Sequence, residues 1–412
     1  MNRPMPGSAH GVVTAATVVM LLMVGCPPPT VDDGDGVIAT GTTPNSVATV
    51  RCGGVRRLLV ASSGEGSLER MDPEGQTATS TVFLGVGSTP WDVGVLNDDD
   101  AAPGGPRAVV SLPGHHSVAL VDPCAEVPVV LDEVTSTTTV VVDPPVTLRS
   151  PEDVDGDGSD DLVVERMTPR TPQAVASAGR SIFVVWANLL AFSTSSTEPM
   201  LSGPGLLTRF TLDDDGEHLT ETGHALLPCE NPGGLMVTHD DSGAADASDD
   251  VIVTCAGRFV VGVDGFSAAS PGGLVRVRAG AGTAFVVDDA IVLDNHTPGP
   301  VVGAHGELVT GDLLDGTVRA FDPLTLAELR RTEPSSGVDS VFALTVMGDD
   351  VVVAGWFSGR VQRQPLDDGP SRQLTDGPSR GLVDLVCDEL GGFGLLSLSA
   401  ELMPFSFDGD AP

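Results

Sequence analysis

One short segment recurs seven times along this 412-residue chain, and such self-similarity restricts the chain to repeat architectures. Its clearest copies read SLERMDP at residues 67–73 and TVRAFDP at residues 317–323. All seven copies have the length of a strand, and they lie at residues 67–73, 117–123, 206–212, 274–279, 317–323, 360–366 and 402–408. Each follows an apolar run that closes in a glycine-containing or polar turn, so a pair of strands is predicted at every copy.

The body of the chain lacks the periodicity that a helix needs. After residue 40 no stretch keeps an apolar period of ~3.6 residues. Short runs rich in Val, Leu, Thr and Phe alternate instead with Gly, Pro, Asp and Ser clusters, and the chain contains 50 Gly and 32 Pro. Strands separated by tight turns are therefore predicted throughout, which makes the fold class all-β.

A further segment, introduced by proline, precedes most of the repeated strand pairs. Its best example is FLGVGSTPWDVGV at residues 83–95. The order of a Pro-led inner strand, an apolar strand and a strand ending in Asp-Pro resembles the YVTN/lactonase-like family of β-propellers over about residues 45–408. The resemblance implies a ring of four-stranded blades, in which each sheet covers the faces of its neighbours.

The number of copies predicts a seven-bladed β-propeller. The last four copies follow one another at intervals of 42 to 43 residues, the length of one four-stranded blade. The final copy lacks an outer strand, so residues 36–40, GVIAT, are predicted to close the ring from the N-terminal side. Residues 134–170 double one interval and are interpreted as an irregular insertion with room for two strands; eight blades are the alternative.

The N-terminal residues have the pattern of an export signal. Arg3 precedes an uninterrupted apolar run of 14 residues, GVVTAATVVMLLMV, at residues 11–24. This run is too short to span a hydrocarbon core of ~30 Å, but it suits the hydrophobic region of a signal peptide. It ends in LMVGC at residues 22–26, which resembles the lipobox of bacterial lipoproteins.

The lipobox resemblance implies that residues 1–25 are removed and that Cys26 becomes the acylated first residue. Residues 26–35 then form a proline-rich, acidic tether, and residues 36–412 form a single propeller domain. Several acyl chains, each CH₂ contributing ~0.8 kcal/mol when buried, hold a protein on a membrane almost permanently. The expected location is the bacterial cell envelope, lipid-anchored and extracytoplasmic, on the outer membrane if the cell is Gram-negative.

The charge balance excludes several classes of function. Asp and Glu number 57 against 21 cationic residues, all of them Arg, which gives a net charge of −36. A nucleic-acid-binding protein needs a basic surface to displace counterions from phosphates, and this chain has none. The chain also contains no Lys and no Tyr, so Schiff-base lysine chemistry, P-loop phosphate transfer and a tyrosine nucleophile are excluded.

An exported protein can form disulfides, and five cysteines remain after Cys26. Cys229 precedes one inner strand and Cys255 ends the neighbouring strand, so antiparallel pairing predicts a bridge between them. Cys52 and Cys387 each end an inner strand, in the first and last blades. Those blades are neighbours in a closed ring, which makes a second bridge between Cys52 and Cys387 a candidate. No CxxC spacing supports a zinc or redox site.

The strongest candidate metal site is DVDGDGSDDLVV at residues 153–164. Its carboxylates have the spacing of a calcium loop, and the predicted ligands are Asp153, Asp155, Asp157 and Asp161. Val164 replaces the bidentate Glu of an EF-hand, and the segment resembles the DxDGDGxxDLxV loops of FG-GAP-type propeller repeats, which bind calcium between strands. The alternative is a solvated acidic turn.

Histidines provide a second, weaker candidate site. His239 and His305 fall at equivalent ends of two successive inner strands, and His296 lies just before the second of these. Together with Asp240 they are candidates for a metal or acid–base site at one mouth of the central channel. The alternative is a set of solvated turn histidines.

Two classes of function remain. The first is a monomeric, membrane-anchored binding or scaffold module that holds a protein or glycan partner. The second is a channel-mouth enzyme of the lactonase or quinoprotein type. The sequence favours binding, because GxSxG is absent and no dinucleotide fingerprint follows a strand. A propeller fold by itself does not decide between the two classes.

Overall fold

The computed structural model describes residues 38–74, 77–96, 105–149, 161–191, 201–238, 249–262, 265–280, 283, 285–294, 296–332, 338–348, 350–366, 371–376, 381–388 and 391–405. Within these ranges the chain forms 34 strands and no helix. Seven four-stranded antiparallel sheets surround a central axis as a seven-bladed β-propeller. The all-β fold class and the seven blades predicted from the repeats are confirmed.

The first four blades use consecutive strands, listed here from the axis outwards. Blade 1 contains β2 (Pro44–Cys52), β3 (Val55–Ser62), β4 (Ser67–Asp72) and β5 (Thr77–Phe83). Blade 2 contains β6 (Val93–Leu96), β7 (Arg107–Leu112), β8 (Ser117–Asp122) and β9 (Val129–Val134). Blade 3 contains β12 (Pro172–Ala178), β13 (Ser181–Trp186), β16 (Pro204–Leu212) and β17 (Leu219–Glu230). Blade 4 contains β18 (Pro232–Thr238), β19 (Asp249–Cys255), β22 (Gly272–Ala279) and β23 (Phe285–Leu293).

The remaining three blades complete the ring. Blade 5 contains β24 (Pro298–Ala304), β25 (Glu307–Asp312), β26 (Val318–Phe321) and β27 (Glu328–Thr332). Blade 6 contains β28 (Val341–Met347), β29 (Asp350–Gly355), β30 (Arg360–Pro365) and β31 (Arg372–Asp376). Blade 7 contains β32 (Leu382–Asp388), β33 (Gly391–Leu396), β34 (Glu401–Phe405) and, as its outer strand, β1 (Ile38–Ala39).

The ring is closed by the N-terminal strand, as predicted. Ile38 is paired with Leu402 and Ala39 with Glu401, and the Thr40 amide donates to the Ala400 carbonyl at 2.8 Å. Ile38 is buried in an apolar cluster that draws on blades 7 and 1. An outer strand from one end of the chain and three strands from the other thus fix both ends in one blade.

Three two-stranded hairpins interrupt the regular blades. They are β10–β11 (Val140–Arg149 and Asp161–Met167), β14–β15 (Leu189–Ala191 and Leu201–Ser202) and β20–β21 (Phe259–Gly262 and Gly265–Ala268). Hairpin β10–β11 occupies the doubled repeat interval between blades 2 and 3. Two strands cannot form a blade, so the alternative of eight blades is wrong.

All three hairpins lie on the same face of the propeller. Since strands alternate in direction within a blade, one face carries the connections from outer strand to next inner strand and from second to third strand. We call this the top face, and the opposite one the bottom face. Hairpin β10–β11 interrupts an outer-to-inner connection, whereas β14–β15 and β20–β21 each interrupt a second-to-third connection. We call the three hairpins together the crown.

The core lies between the blades, where neighbouring sheets face each other. The second strand of each blade is covered on both faces and therefore reads as a continuous apolar run, such as IFVVW in β13. Trp186 ends that run, and its buried indole N–H donates to Thr208 Oγ1 at 2.8 Å. Its ring belongs to the apolar cluster that joins blades 2 and 3.

Arginines of the third strands provide polar contacts between neighbouring blades. Arg70 of blade 1 donates to the Pro123 carbonyl at 2.9 Å, and Arg209 of blade 3 donates to the Gly280 carbonyl at 3.0 Å. Arg276 of blade 4 contacts the carbonyls of the turn that follows β26. Each guanidinium thus binds the turn after the third strand of the next blade, where several carbonyls converge on its fixed set of donors.

The structure pairs Cys229 with Cys255 in a disulfide whose Cα atoms lie 6.1 Å apart. Cys229 is near the end of β17 in blade 3, and Cys255 ends β19 in blade 4. Both strand ends point to the top face. This bridge therefore joins two blades at the base of the crown.

The second disulfide differs from the expected bridge between Cys52 and Cys387. Cys52 is paired with Cys124, and their Cα atoms lie 5.2 Å apart on the bottom face. The reason is the turn after β8, which Arg70 of blade 1 draws against its own blade by bonds to the carbonyls of Pro123 and Ala125. The first blade is thus bridged to blade 2 rather than to blade 7.

Candidate functional site

The inner strands begin at the top mouth of the central channel, and three polar residues meet there. Ser46 lies in β2 of blade 1, Asp92 immediately precedes β6 of blade 2, and Asp384 lies in β32 of blade 7. They therefore come from three consecutive blades around the axis. Ser46 is buried, whereas both carboxylates are half-buried.

The hydroxyl of Ser46 lies between the two carboxyl groups. Its Oγ is 2.9 Å from Asp92 Oδ1 and 2.9 Å from Asp384 Oδ2. Asp384 Oδ2 also accepts the Val47 amide at 2.8 Å, and Asp92 Oδ2 accepts the Val175 amide at 2.8 Å. Each carboxyl group therefore binds the inner strand of the following blade.

A local backbone irregularity allows these side chains to reach sideways. The pairing of β2 with β3 shifts register between Pro44 and Ser46, and that of β32 with β33 shifts between Leu382 and Asp384. Such a bulge leaves one residue unpaired and rotates the next side chain away from its regular direction. Ser46 and Asp384 follow the bulge at matching positions in adjacent blades.

The environment of the two aspartates favours their protonated forms. Burial raises the pKa of Asp384 to about 7, and the nearby Asp92 adds to this, although the bonds from Val47 and Ser46 oppose it. Burial also raises the pKa of Asp92 above its ordinary value, against the amide of Val175. A carboxyl group of this kind can take up or release a proton near neutral pH.

The sequence analysis missed this site, although a signal was present. Residues 91–93 read WDV and residues 383–385 read VDL, each at the start of a predicted inner strand. An Asp between apolar residues in a buried strand is unusual and indicates a specific partner. The partner, Ser46, is remote in sequence from Asp384, and it becomes visible only through the closed ring.

Aromatic side chains lie on the same face. Phe342 and Trp356 of blade 6 are half-buried, with ring centroids 5.0 Å apart, and Phe357 beside them is 40% exposed. Trp91, which precedes β6, is also half-buried. Since the chain has only three Trp, the top face concentrates the large, partly exposed aromatic groups that dominate binding surfaces.

The predicted histidine site is not assembled as expected. His296 precedes β24 and is fully buried on the top-face side, where its Nδ1 contacts Asp312 Oδ2. Asp312 also accepts the Thr297 amide at 2.8 Å. Burial raises the pKa of Asp312, but the bonds from His296 and Thr297 outweigh it, so that pKa lies below its ordinary value.

His305 follows β24 at its other end, on the bottom face, so His296 and His305 lie on opposite faces of the ring. The expectation that they share one channel mouth is therefore wrong. His239 and Asp240 lie outside the described residues. Among the residues that the structure does describe, no group of three or more His, Cys, Asp and Glu side chains is placed to hold a metal ion.

The acidic loop lies at the tip of hairpin β10–β11. Arg149 at the end of β10 is paired with Asp161 at the start of β11, so residues 150–160 connect two antiparallel strands. Asp153, Asp155 and Asp157 belong to that connection and lie outside the described residues, as does Cys26. No helix in the described part of the chain is both long and apolar enough to cross a membrane.

Comparison with solved structures supports the propeller fold. Virginiamycin B lyase from Staphylococcus aureus matches with a TM-score of 0.54 and 9% identity over 90% of this chain and 98% of the lyase. The β-propeller domain of Cps50 (Swd1) from Myceliophteria thermophila matches with a TM-score of 0.53 and 10% identity over 90% of this chain and 99% of that domain. Sqt1 of Saccharomyces cerevisiae gives 0.51 and 8% over 90% and 97%.

Identities of this size establish a shared fold and nothing finer. No protein-family model matches the chain, and no curated protein sequence matches it. The chain is a seven-bladed β-propeller, similar in architecture to an enzyme and to several non-enzymatic propellers.

Proposed function

We propose that this protein is a membrane-anchored, extracytoplasmic binding module whose top face holds a protein or glycan partner. The observation that carries the proposal is the crown, because all three insertions into the regular blades fall on that face. Surface insertions on a rigid scaffold are the usual site of recognition. The partly exposed aromatic groups of blade 6 lie on the same face.

The base of the crown is fixed to the propeller body. Arg258 Nε donates to Glu230 Oε2 at 2.9 Å, which ties the start of hairpin β20–β21 to the outer strand of blade 3. The disulfide between Cys229 and Cys255 lies beside this contact. At Gly203 an added Cβ would lie 2.9 Å from Met167 Sδ, so the bases of the other two hairpins are in close contact. A rigid base lowers the entropy that a binding surface loses on association.

A binding role suits this channel mouth better than a catalytic one. The oxygens of Asp92 and Asp384 are already bound by the Ser46 hydroxyl and by amides of neighbouring strands. Groups held in this way join blades, whereas a general acid or base needs a free oxygen that faces the substrate. The YVTN-type resemblance adds a propeller context and no specific reaction.

The anchor is the second part of the proposal. Residues 22–26, LMVGC, support cleavage before Cys26 and its acylation. Residues 26–35 then separate the lipid from β1, where the propeller begins. In this arrangement a short tether holds the binding face close to the membrane surface.

We expect photo-crosslinking in whole cells to localise the partner to the top face. A photoreactive residue at Val141, which is 60% exposed in the crown, should give an adduct. The same residue at Val55, which is 49% exposed on the bottom face, should give none. For glycan partners, Phe357→Ser should reduce retention on a glycan array, whereas Leu324→Ser, at an exposed bottom-face position, should not. Equal behaviour of the two faces would contradict the proposal.

Calcium is proposed to order the tip of hairpin β10–β11. The ligands would be Asp153, Asp155, Asp157 and Asp161, all within the connection closed by the pairing of Asp161 with Arg149. Oxygen-only ligands at alternate positions suit a hard cation. Several carboxylates within one turn repel one another, and a bound cation would remove that repulsion.

Millimolar calcium should raise the melting temperature of the wild type and protect residues 134–170 from protease. Without a bidentate Glu the affinity should be weak, on the order of 10⁻⁴–10⁻³ M, as in extracellular modules. Asp155→Ala/Asp157→Ala should abolish both effects. Asp240→Ala/Asp241→Ala removes the same charge elsewhere and should keep them. If chelator and calcium leave the wild type and the first variant indistinguishable, the loop is only an acidic turn.

A further inference from the structure

We infer that Asp92, Ser46 and Asp384 form a binding site for a single proton, and that this proton holds blades 7, 1 and 2 together at the top mouth of the channel. The inference goes beyond the proposed binding function and does not depend on it. It rests on the number of hydrogens that the three side chains can supply.

A serine hydroxyl has one hydrogen and can donate it to only one acceptor. Ser46 Oγ nevertheless lies 2.9 Å from an oxygen of Asp92 and 2.9 Å from an oxygen of Asp384. If both carboxylates were ionised, one of these contacts would place two acceptors against each other. One proton on either carboxyl group turns both contacts into hydrogen bonds, with Ser46 accepting from one and donating to the other.

The surrounding strands offer no charge that would replace the proton. The neighbouring strands β12, β28 and β33 contain no ionisable side chain. The ionisable residues of β2, β3, β7 and β32 lie at the bottom-face ends of those strands, and they are Arg51, Cys52, Arg56, Arg57, Arg107, Cys387 and Asp388. On the top face, Arg170 and Asp339 lie in the connections that lead into β12 and β28, and His116 Nδ1 is occupied by the Thr171 amide.

The position of the site gives the proton a structural consequence. Blade 7 is built from both ends of the chain, and Asp384 joins it to blade 1 through the Val47 amide. Asp92 then joins blade 2 to blade 3 through the Val175 amide. Loss of the proton leaves two negative charges on either side of Ser46, so repulsion acts across the seam where the ring closes.

The direction of the pH effect follows from the environment. The pKa of Asp384 is raised to about 7 in the folded protein, against an ordinary value of 3.8 in the unfolded chain. The folded state therefore binds the proton more tightly than the unfolded state does. The resulting stabilisation is complete below the unfolded pKa and is lost as the pH rises through about 7.

The test compares the pH dependence of unfolding in the full chain and in Asp384→Asn. An amide donates to Ser46 as the protonated acid does, and it does not ionise. The unfolding constant of the wild type, relative to Asp384→Asn, should rise up to ~10-fold per pH unit between pH 5.5 and 7. Asp322→Asn removes an exposed, ionised carboxylate and should keep the wild-type dependence. Parallel profiles for the wild type and Asp384→Asn would overturn the inference.

A spectroscopic measurement on the wild type removes any dependence on the variant's folding. With ¹³C-labelled aspartate, the infrared spectrum should show a protonated carboxyl band at pH 6 that disappears by pH 8. Asp92→Asn should alter that band, whereas Asp322→Asn should not. The absence of a protonated aspartate at pH 6 would overturn the inference even if the stability profiles were ambiguous.

Discussion

Deletion of residues 27–42 is expected to lower the melting temperature by ~10 °C, because it removes the outer strand of the blade that closes the ring. Ile38 is buried against side chains of blades 7 and 1, and exposing such a side chain costs about 2 kcal/mol. The backbone bonds of residues 38–40 to β34 add about 1 kcal/mol each. Differential scanning calorimetry of the full and shortened chains measures the loss.

The deletion also removes a partner from a buried acid. Glu69 in β4 of blade 1 is buried, and its carboxylate accepts bonds from Ser62 and from the Gly41 backbone. Burial raises the pKa of Glu69, so the carboxylate depends on those donors. Without Gly41 one donor is lost, and the edge of β34 is left unpaired, which favours aggregation.

Deletion of residues 27–36 alone is the matched control, because it shortens the tether and leaves β1 in place. Its melting temperature should equal that of the full chain. An unchanged melting temperature after the longer deletion would show that β1 contributes nothing to closure. A loss of equal size in both deletions would assign the effect to the tether.

The sequence predicted the blade count and the closing strand because both depend on local patterns. A third strand such as SVALVDP is recognisable wherever it occurs, and a final blade without an outer strand requires one from elsewhere. The bridge between Cys52 and Cys124 was missed since it depends on a turn held by Arg70, which no local pattern reveals.

The polar contacts at the channel mouth were beyond the sequence for the same reason. Asp92 and Asp384 meet at Ser46 through bulges in two different blades and through ring closure. His296 illustrates the opposite case, in which a predicted site residue is used internally. Its contact with Asp312 fixes the start of blade 5, and the strand that follows separates it from His305.

Replacement of Cys26 by Ala should release the protein completely from the membrane fraction. The propeller body offers the membrane no substitute for the lipid, since a net charge of −36 is repelled by anionic headgroups. Each buried CH₂ of an acyl chain contributes ~0.8 kcal/mol, so the attachment depends on the acyl chains alone. Fractionation after a carbonate wash, with metabolic labelling by a palmitate analogue, measures both parts of the expectation.

Cys387→Ala is the matched control for thiol chemistry, because it removes a cysteine at the bottom-face end of β32 and leaves residues 22–26 unchanged. That variant should stay in the membrane fraction and carry the label. The alternative of an ordinary cleaved signal makes the opposite prediction, since the wild type would then be soluble and unlabelled. A protein that remains on the membrane in the Cys26→Ala variant would instead place its attachment in the folded body, where the crown would be the first surface to test.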